Sequence, residues 1–223
     1  MASSLIQETP LSGADYFQLV LDKHIRSYGD VGNVSRIVIE LDGKLEVFAL
    51  KKRLAELPIF NWMKVLKLKR KGLWEIPFWV RIPNELDFPI TEHLNAQGIP
   101  IEVLNRDIRA KNGTLFHIDL IQKMNGKSTF VFSVHHSLMD SKGVQLLMSL
   151  LGGEKIVLHS ENYFPLEKAS TQTFLYKLKK SFEAKHFIEA FNFKKMASLL
   201  DKKPKSVARS RYDPIQFTKE ETE

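Results

Sequence analysis

The chain contains several short segments in which apolar and polar residues alternate, or in which β-branched and aromatic residues are concentrated. Residues 115–121 alternate with period two, and an apolar run at 129–134 follows them after Asn125 and Gly126. Such runs are typical of β-strands, and an Asn-Gly pair between two of them is typical of a hairpin. The same criteria predict further strands at residues 35–41, 65–68 and 78–82.

Between these strands the spacing of apolar residues is helical. Residues 11–22 are predicted to form a helix, because Ser12 and Asp15 have the spacing of a capping box. Residues 45–57 form a second predicted helix, ended by Pro58, with apolar positions at Leu45, Phe48, Ala49 and Leu54. Further helices are predicted at residues 100–110 and 143–151. Since helices lie between strands and one strand pair is a hairpin, we predict an α/β fold, a two-layer sandwich with a mixed β-sheet.

The composition is that of a globular protein. The chain has 223 residues, of which 43% are hydrophobic and 26% charged, enough for a core in one or two domains. It has no cysteine, which excludes disulfides and thiol catalysis. The first residues lack the basic and apolar regions of a signal peptide, and no apolar stretch approaches the length of a membrane span. We therefore expect a cytoplasmic protein that is soluble or at most peripheral to a membrane.

The net charge of +7 is concentrated in one part of the chain. Residues 164–211 contain 12 Lys and Arg but only 4 Asp and Glu, and residues 173–200 have helically spaced apolar side chains. Three interpretations stay open: a helix that packs on the core with a solvated lysine face, a basic helix on an anionic lipid surface, or a groove for the phosphates of coenzyme A. No nucleic-acid partner is expected, because charge alone is present without a binding motif.

The candidate chemistry lies between the strand at 129–134 and the helix at 143–151. His135, His136 and Asp140 form the pattern HHxxxD at this point. Imidazole has its ordinary pKa closest to neutrality, so a neutral histidine can accept a proton as a general base. Adjacent strand residues point to opposite faces, which predicts that one histidine faces a cleft and the other faces packed side chains.

Two other kinds of site are not favoured by the same residues. A zinc site needs three or four convergent ligands, whereas adjacent strand histidines diverge, so no metal is predicted. A Ser-His-Asp hydrolase needs a nucleophile elbow such as GxSxG, which the sequence lacks. Ser137 and Ser141 are interpreted as loop or helix-cap residues.

The HHxxxD spacing resembles the HHxxxDG signature of CoA-dependent and carrier-dependent acyltransferases. These include chloramphenicol acetyltransferase, peptide-synthetase condensation domains and bacterial wax ester synthase/diacylglycerol acyltransferases. The resemblance implies a chloramphenicol acetyltransferase-like fold, with His136 as the general base and Asp140 as a structural residue, usually held by an arginine. Arg36 and Arg53 are candidates for that arginine. The chain departs from the signature at Ser141, where the family has glycine, so the loop must differ or the serine must adopt the glycine's backbone.

Three further segments are similar to the wax ester synthase branch, which acts in lipid metabolism: residues 10–17 (PLSGADYF), residues 86–94 and the hairpin that begins at residue 116. Members of that branch are about twice as long and consist of two subdomains with a tunnel between them. The resemblance therefore divides this chain into an N-terminal acyltransferase-like subdomain (1–160), a basic helical connecting segment (161–210) and the start of a truncated or missing C-terminal subdomain (211–223).

The leading hypothesis is acyl transfer from a CoA or carrier-protein thioester to a hydroxyl or amine, with His136 as base. The acyl thioester is then a substrate, and no permanently bound cofactor is expected. A complementary C-terminal half or a second copy of the chain is the expected protein partner, with lipid or membrane contact as a further one. The alternative hypothesis is a non-catalytic half-domain that binds a complementary subunit or lipid.

Overall fold

The computed structural model describes residues 8–27, 29–70, 77–81, 87–112 and 115–156, together with 179 and 182–183. The chain divides into two units, residues 1–156 with 207–223, and residues 157–206. The elements below belong to the described part of the first unit. The predicted basic segment and the predicted start of a second subdomain lie outside the described residues, apart from Lys179, Phe182 and Glu183.

Seven strands and five α-helices make up this part of the chain. In chain order they are β1 (Glu8–Pro10), α1 (Gly13–Ser27), β2 (Val34–Leu41), α2 (Val47–Glu56), α3 (Pro58–Val65), β3 (Leu66–Lys69), β4 (Phe78–Arg81), β5 (Ile90–Ala96), α4 (Ile101–Leu104), β6 (Phe116–Lys123), β7 (Ser128–His135) and α5 (Ser141–Leu151).

The strands form two sheets, and the larger one is mixed. Its order is β2-β7-β6-β5, with antiparallel pairing between β2, β7 and β6 and parallel pairing between β6 and β5. The smaller sheet, β1-β4-β3, is antiparallel throughout. The α/β fold with a mixed sheet is therefore confirmed. The predicted hairpin is β6–β7, and its turn is at Gly126, whose φ of 77° lies in the left-handed region that glycine readily adopts.

One face of the four-stranded sheet carries the main core. Phe116 on β6 and Phe132 on β7 have their ring centroids 5.8 Å apart, and each lies 6.2 Å from the ring of Phe60 on α3. All three phenylalanines are almost fully buried, with edge-on or tilted ring geometry that aromatic side chains favour. This packing fixes β7, and with it the position at which the HHxxxD segment begins.

Several helix predictions are confirmed by the hydrogen bonds and others are wrong. Ser12 Oγ accepts from the N–H of Asp15 (3.0 Å), and an Asp15 carboxylate oxygen accepts from the N–H of Ser12 (3.1 Å), which is the predicted capping box. In α2 the buried positions are Leu50 and Leu54, whereas the predicted Phe48 is 81% exposed. Pro58 ends α2 as predicted but also occupies the first position of α3, where its fixed φ suits a helix start.

The predicted helix at residues 100–110 is mostly wrong. Only Ile101–Leu104 form an α-helical turn, and a short 3₁₀ turn follows at Ala110–Asn112. The intervening residues approach the sheet through polar contacts, for example from the Arg106 side chain, rather than through a continuous apolar stripe. Strands β1 and β5 were not predicted. β5 contains the polar residues Thr91, Glu92 and His93, so its sequence lacks the apolar pattern of a strand.

Candidate functional site

The HHxxxD segment begins at the end of β7, a strand buried along its whole length between β2 and β6. The N–H of His135 donates to the carbonyl of Leu115 (2.8 Å), and the N–H of His136 donates to the carbonyl of Asn33 (2.9 Å). His135 is fully buried, whereas His136, the first residue of the turn that follows, is partly exposed. The backbone of both histidines is therefore fixed by segments on either side of β7.

His135 lies between Ser137 and Asp22. Its Nδ1 is 2.8 Å from Ser137 Oγ and accepts from the N–H of Ser137 (3.2 Å). Its Nε2 lies 3.3 Å from Oδ1 of Asp22 on α1. The ring N–H is not aligned with this oxygen as in a regular hydrogen bond. Because the peptide N–H can only donate, we assign Nδ1 as the acceptor and place the proton on Nε2, facing the carboxylate.

Asp22 is held by several donors. Its Oδ2 accepts from Arg26 Nε (2.9 Å), and its Oδ1 accepts from the N–H of Asn33 (2.8 Å). Burial by itself raises the pKa of Asp22, but His135, Arg26 and the Asn33 N–H together hold that pKa well below its usual value. Asp22 is therefore a carboxylate anion across the whole neutral range.

Within the described part of the chain, one ring nitrogen of His136 has no partner. Its Nδ1 is buried and has no hydrogen-bond partner among the described residues, although the residue as a whole is partly exposed. Because this nitrogen is buried, a bound molecule would have to meet the imidazole at the exposed part of the residue. Of the two histidines, His136 therefore has the more open environment and His135 the more structural one.

Asp140 is an exposed helix cap, and no arginine among the described residues binds it. Its Oδ1 accepts from the N–H of Gly143 (2.8 Å) at the start of α5. Arg36 instead donates to the carbonyls of Val103 and Arg106, and Arg53 donates to those of Leu150 and Leu151. Neither candidate arginine is the partner of Asp140. Ser141, where the resembled signature has glycine, is the first residue of α5 and needs no left-handed backbone.

Capping by Asp140 leads to a prediction about stability. We expect Asp140→Ala to lower the free energy of unfolding by about 1 kcal/mol, because the first turn of α5 loses its side-chain acceptor. Asp140→Asn is the matched control and should change it by much less, since asparagine caps helices about as well as aspartate. Urea unfolding curves of both variants measure the difference. Equal losses for the two variants would contradict a pure capping role and indicate that the charge itself is needed.

A second polar cluster lies on the sheet face opposite the phenylalanine core, and no motif in the sequence indicates it. Its centre is Asp119 on β6, which is fully buried and accepts two hydrogen bonds from the guanidinium of Arg106. Nε2 of His93 on β5 lies 2.8 Å from Asp119 Oδ1, and Nε2 of His117 lies 3.9 Å from it. His117 Nε2 is also 2.9 Å from Thr91 Oγ1. We call these residues the Asp119 cluster.

The Asp119 cluster changes the titration of one histidine. Burial, and next the neighbouring Arg106 guanidinium, lower the pKa of His117 from 6.5 to about 4, while Asp119 acts in the opposite direction. His117 is therefore neutral at physiological pH. The cluster thus combines one buried carboxylate, one arginine and two imidazoles, of which that of His117 is neutral, and this arrangement satisfies the charge of Asp119 internally.

The lowered pKa of His117 predicts a pH-dependent stability. Between about pH 6.5 and pH 4 the unfolded chain binds a proton at this imidazole that the folded chain does not, so stability falls as the pH falls through this window. We expect a contribution of about 2 to 3 kcal/mol. Urea unfolding is measured at about pH 7 and about pH 4.5 in wild type and in His117→Asn. The difference between the two proteins separates the contribution of His117 from the titration of carboxylates. An equal pH dependence in both proteins would show the prediction to be wrong.

The described residues contain neither a metal-binding cluster nor a membrane-spanning helix. No group of three or more His, Asp and Glu side chains in this part of the chain is arranged to hold a metal ion. None of the helices within the same residues is long and apolar enough to cross a membrane.

Comparison with known proteins identifies the fold. No protein-family model matches the sequence, and no curated protein matches it either. Among solved structures, the chain is similar to the first condensation domain of the calcium-dependent antibiotic synthetase in complex with a substrate analogue, with 14% identity and a TM-score of 0.53 over 69% of this chain and 40% of that one. It is also similar to a variant of the starter condensation domain of rhizomide synthetase in complex with C8-CoA, with 14% identity and a TM-score of 0.53 over 65% and 34%.

A third similar structure comes from a polyketide synthase, the condensation domain of the Monacolin K enzyme, with 13% identity and a TM-score of 0.53 over 69% of this chain and 36% of that one. The described part is thus similar in fold to condensation domains, which confirms the predicted fold. The chain spans between a third and two fifths of the length of these three proteins. The narrower assignment to the wax ester synthase branch stays a prediction.

Proposed function

We propose that the protein transfers an acyl group from a CoA or carrier-protein thioester to a hydroxyl or amine, with His136 as the general base. The observation that carries this proposal is the placement of His136: a partly exposed histidine directly after the fully buried strand β7. The HHxxxD pattern around it and the condensation-domain fold support the same reaction.

The proposed chemistry uses His136 twice. Its neutral imidazole accepts the proton of the acceptor hydroxyl or amine while the oxygen or nitrogen attacks the thioester carbonyl carbon. The carbon–sulfur bond of the resulting tetrahedral intermediate then breaks, and the imidazolium returns the proton to the leaving thiolate. The products are an ester or amide and a free thiol, and the imidazole is neutral again. In this scheme Asp140 has no chemical part and stabilises the start of α5.

An acyl-CoA is the first thioester to test, because a variant of the rhizomide starter condensation domain was solved in complex with C8-CoA. The chain would be incubated with C8-CoA and with shorter and longer acyl-CoAs, in the presence of alcohol or amine acceptors, and the released thiol would be measured with a colorimetric thiol reagent. The chain has no cysteine, so it contributes no background signal. Acyl-pantetheine in place of acyl-CoA separates a carrier-type thioester from CoA. Absence of acceptor-dependent thiol release for all thioesters, both with the chain alone and with a candidate C-terminal half, would overturn the proposal.

We further propose that activity requires a complementary C-terminal half or a second copy of the chain. Two observations support this: the chain spans two fifths or less of the three condensation domains, and Tyr16 and Phe17 on α1 are 47% and 40% exposed. The thiol-release assay would be run with the chain alone and with a candidate C-terminal half, alongside light scattering at several concentrations. Full turnover by a monodisperse monomer would contradict the requirement for a partner.

The second candidate function is a non-catalytic half-domain that binds a complementary subunit or a lipid surface in the cytoplasm. The partial coverage of the condensation domains favours it, and the basic segment at residues 164–211 is its candidate lipid-binding part. Co-sedimentation with vesicles of neutral and of anionic phospholipids tests the lipid arm. Binding without acceptor-dependent thiol release, with or without the C-terminal half, would favour this candidate over the enzyme.

A further inference from the structure

Asp22 is linked to both histidines of the HHxxxD segment, although it lies on α1, far from them in sequence. Its Oδ1 is 3.3 Å from Nε2 of His135. The same oxygen accepts from the N–H of Asn33 (2.8 Å), and the carbonyl of Asn33 accepts from the N–H of His136 (2.9 Å). One carboxylate oxygen therefore reaches the side chain of the first histidine and, through Asn33, the backbone of the second.

In the contact with Asp22, the hydrogen of the His135 ring can be assigned to Nε2. The N–H of Ser137 points at Nδ1 of His135 and cannot accept a proton, so Nδ1 is the unprotonated nitrogen and Nε2 carries the hydrogen. Within the described residues Asp22 is the only acidic group paired with Nε2, and the ring is fully buried. Without the carboxylate, a buried N–H would face no acceptor, which is a costly arrangement.

The position of Asp22 is itself fixed from two sides. Arg26 binds the Asp22 carboxylate and is held in turn by the carbonyl of the buried Ile108 (2.8 Å), whereas its ion pair with the exposed Asp107 adds little. Gly32 has a φ of 97°, and a Cβ at this residue would collide with the carboxylate of Asp22 and the guanidinium of Arg26. The backbone next to Asn33 can therefore approach the Asp22 carboxylate this closely because residue 32 has no side chain.

We propose that Asp22 is a positioning residue of the HHxxxD site: together with the Ser137 N–H it stabilises the Nε2-protonated tautomer of His135, and through Asn33 it sets the place at which the chain presents His136. The effect of Asp22 on a reaction rests on the acyl transfer proposed above, whereas its effect on the histidine tautomer does not. Asp22 touches no reacting atom in this scheme. It acts only through His135 and Asn33.

The test compares Asp22→Ala with Asp107→Asn in the full chain. Asp107→Asn is the matched control, because it also removes a carboxylate from Arg26 but does not reach either histidine. In wild type and in Asp107→Asn, ¹⁵N–¹H correlation spectra should show His135 as the Nε2–H tautomer, with a downfield ring proton that exchanges slowly with water. In Asp22→Ala this proton should move upfield or exchange too fast to be seen. An unchanged resonance in Asp22→Ala would overturn the positioning role.

Kinetics supply the second readout. If thiol release is active, we expect Asp22→Ala to lower kcat by about 10- to 100-fold with KM nearly unchanged, because a small displacement of a catalytic group is costly while the binding surface is intact. Asp107→Asn should stay within about twofold of wild type for both constants. A normal kcat in Asp22→Ala, with the ring proton lost, would overturn the link to catalysis.

The two proposals can fail separately. If the wild type is inactive both alone and with a candidate C-terminal half, acyl transfer is refuted. If its spectrum nevertheless shows the predicted tautomer, and only Asp22→Ala loses it, the positioning role is supported. If Asp22→Ala does not fold, Asp22→Asn replaces it. The asparagine has a similar size, but it places an amide N–H₂ where either Arg26 or the Nε2–H and Asn33 N–H require an acceptor. The His135 ring proton should shift in either orientation, because a neutral amide oxygen is a weaker acceptor than a carboxylate, and an unchanged spectrum would count against Asp22.

Discussion

Replacement of His136 by alanine is expected to lower acceptor-dependent thiol release by about 10²- to 10⁴-fold, the usual contribution of a general base. The reason lies in the environment of the residue. Its side chain is partly exposed, Nδ1 has no partner in the described part of the chain, and the hydrogen bond to Asn33 is made by the backbone. The substitution therefore removes a proton acceptor while it breaks few contacts, and we expect the free energy of unfolding to change little.

His135→Gln is the matched control for this experiment. His135 is fully buried and contacts Ser137 and Asp22, so its replacement should reduce stability as well as activity. Initial rates of thiol release and urea unfolding curves, measured on both variants, separate the two roles. Wild-type rates in His136→Ala would exclude His136 as the base, and a large loss of stability in His136→Ala would contradict the open environment assigned to its side chain.

The sequence predicted those parts of the fold that have strong local signals. The β6–β7 hairpin was predictable because Asn125 and Gly126 stand between two apolar runs, and the glycine takes the left-handed backbone that the turn needs. The start of α1 was predictable because its capping box consists of two residues that lie close in sequence, Ser12 and Asp15. The HHxxxD segment was found for the same reason, since its residues are adjacent in sequence.

The parts that the sequence did not predict depend on contacts between distant segments. β5 pairs with β6 in parallel at the edge of the sheet, and its polar residues resemble a loop until Asp119 and His117 are placed beside them. The contact of Asp22 with His135 was not predictable from the sequence either, because an aspartate on an amphipathic helix normally faces solvent. Only the tertiary fold brings it to His135. The sequence did contain a hint at Gly32, whose lack of a side chain permits this approach.

The second large effect is expected at the Asp119 cluster, and it concerns stability. We expect Asp119→Leu to lower the free energy of unfolding by about 3 to 5 kcal/mol, the usual cost of breaking a buried ion pair by removing one partner. Arg106 would lose both of its carboxylate hydrogen bonds, and His93 would lose the acceptor 2.8 Å from its Nε2. Urea unfolding at neutral pH measures the loss.

A double-mutant cycle tests whether this cost arises from the pair itself. Arg106→Leu alone should also be strongly destabilising, because it leaves the fully buried Asp119 without its arginine. The double variant Asp119→Leu/Arg106→Leu should lose much less than the sum of the two single changes, since a buried ion pair is often replaced by apolar residues at little cost. The control is Asp42→Asn, which breaks the exposed pair with Lys127 and should produce no measurable change. Additive losses in the cycle would show that Asp119 and Arg106 stabilise the fold independently, and the cluster would then owe its stability to the histidines and the surrounding backbone.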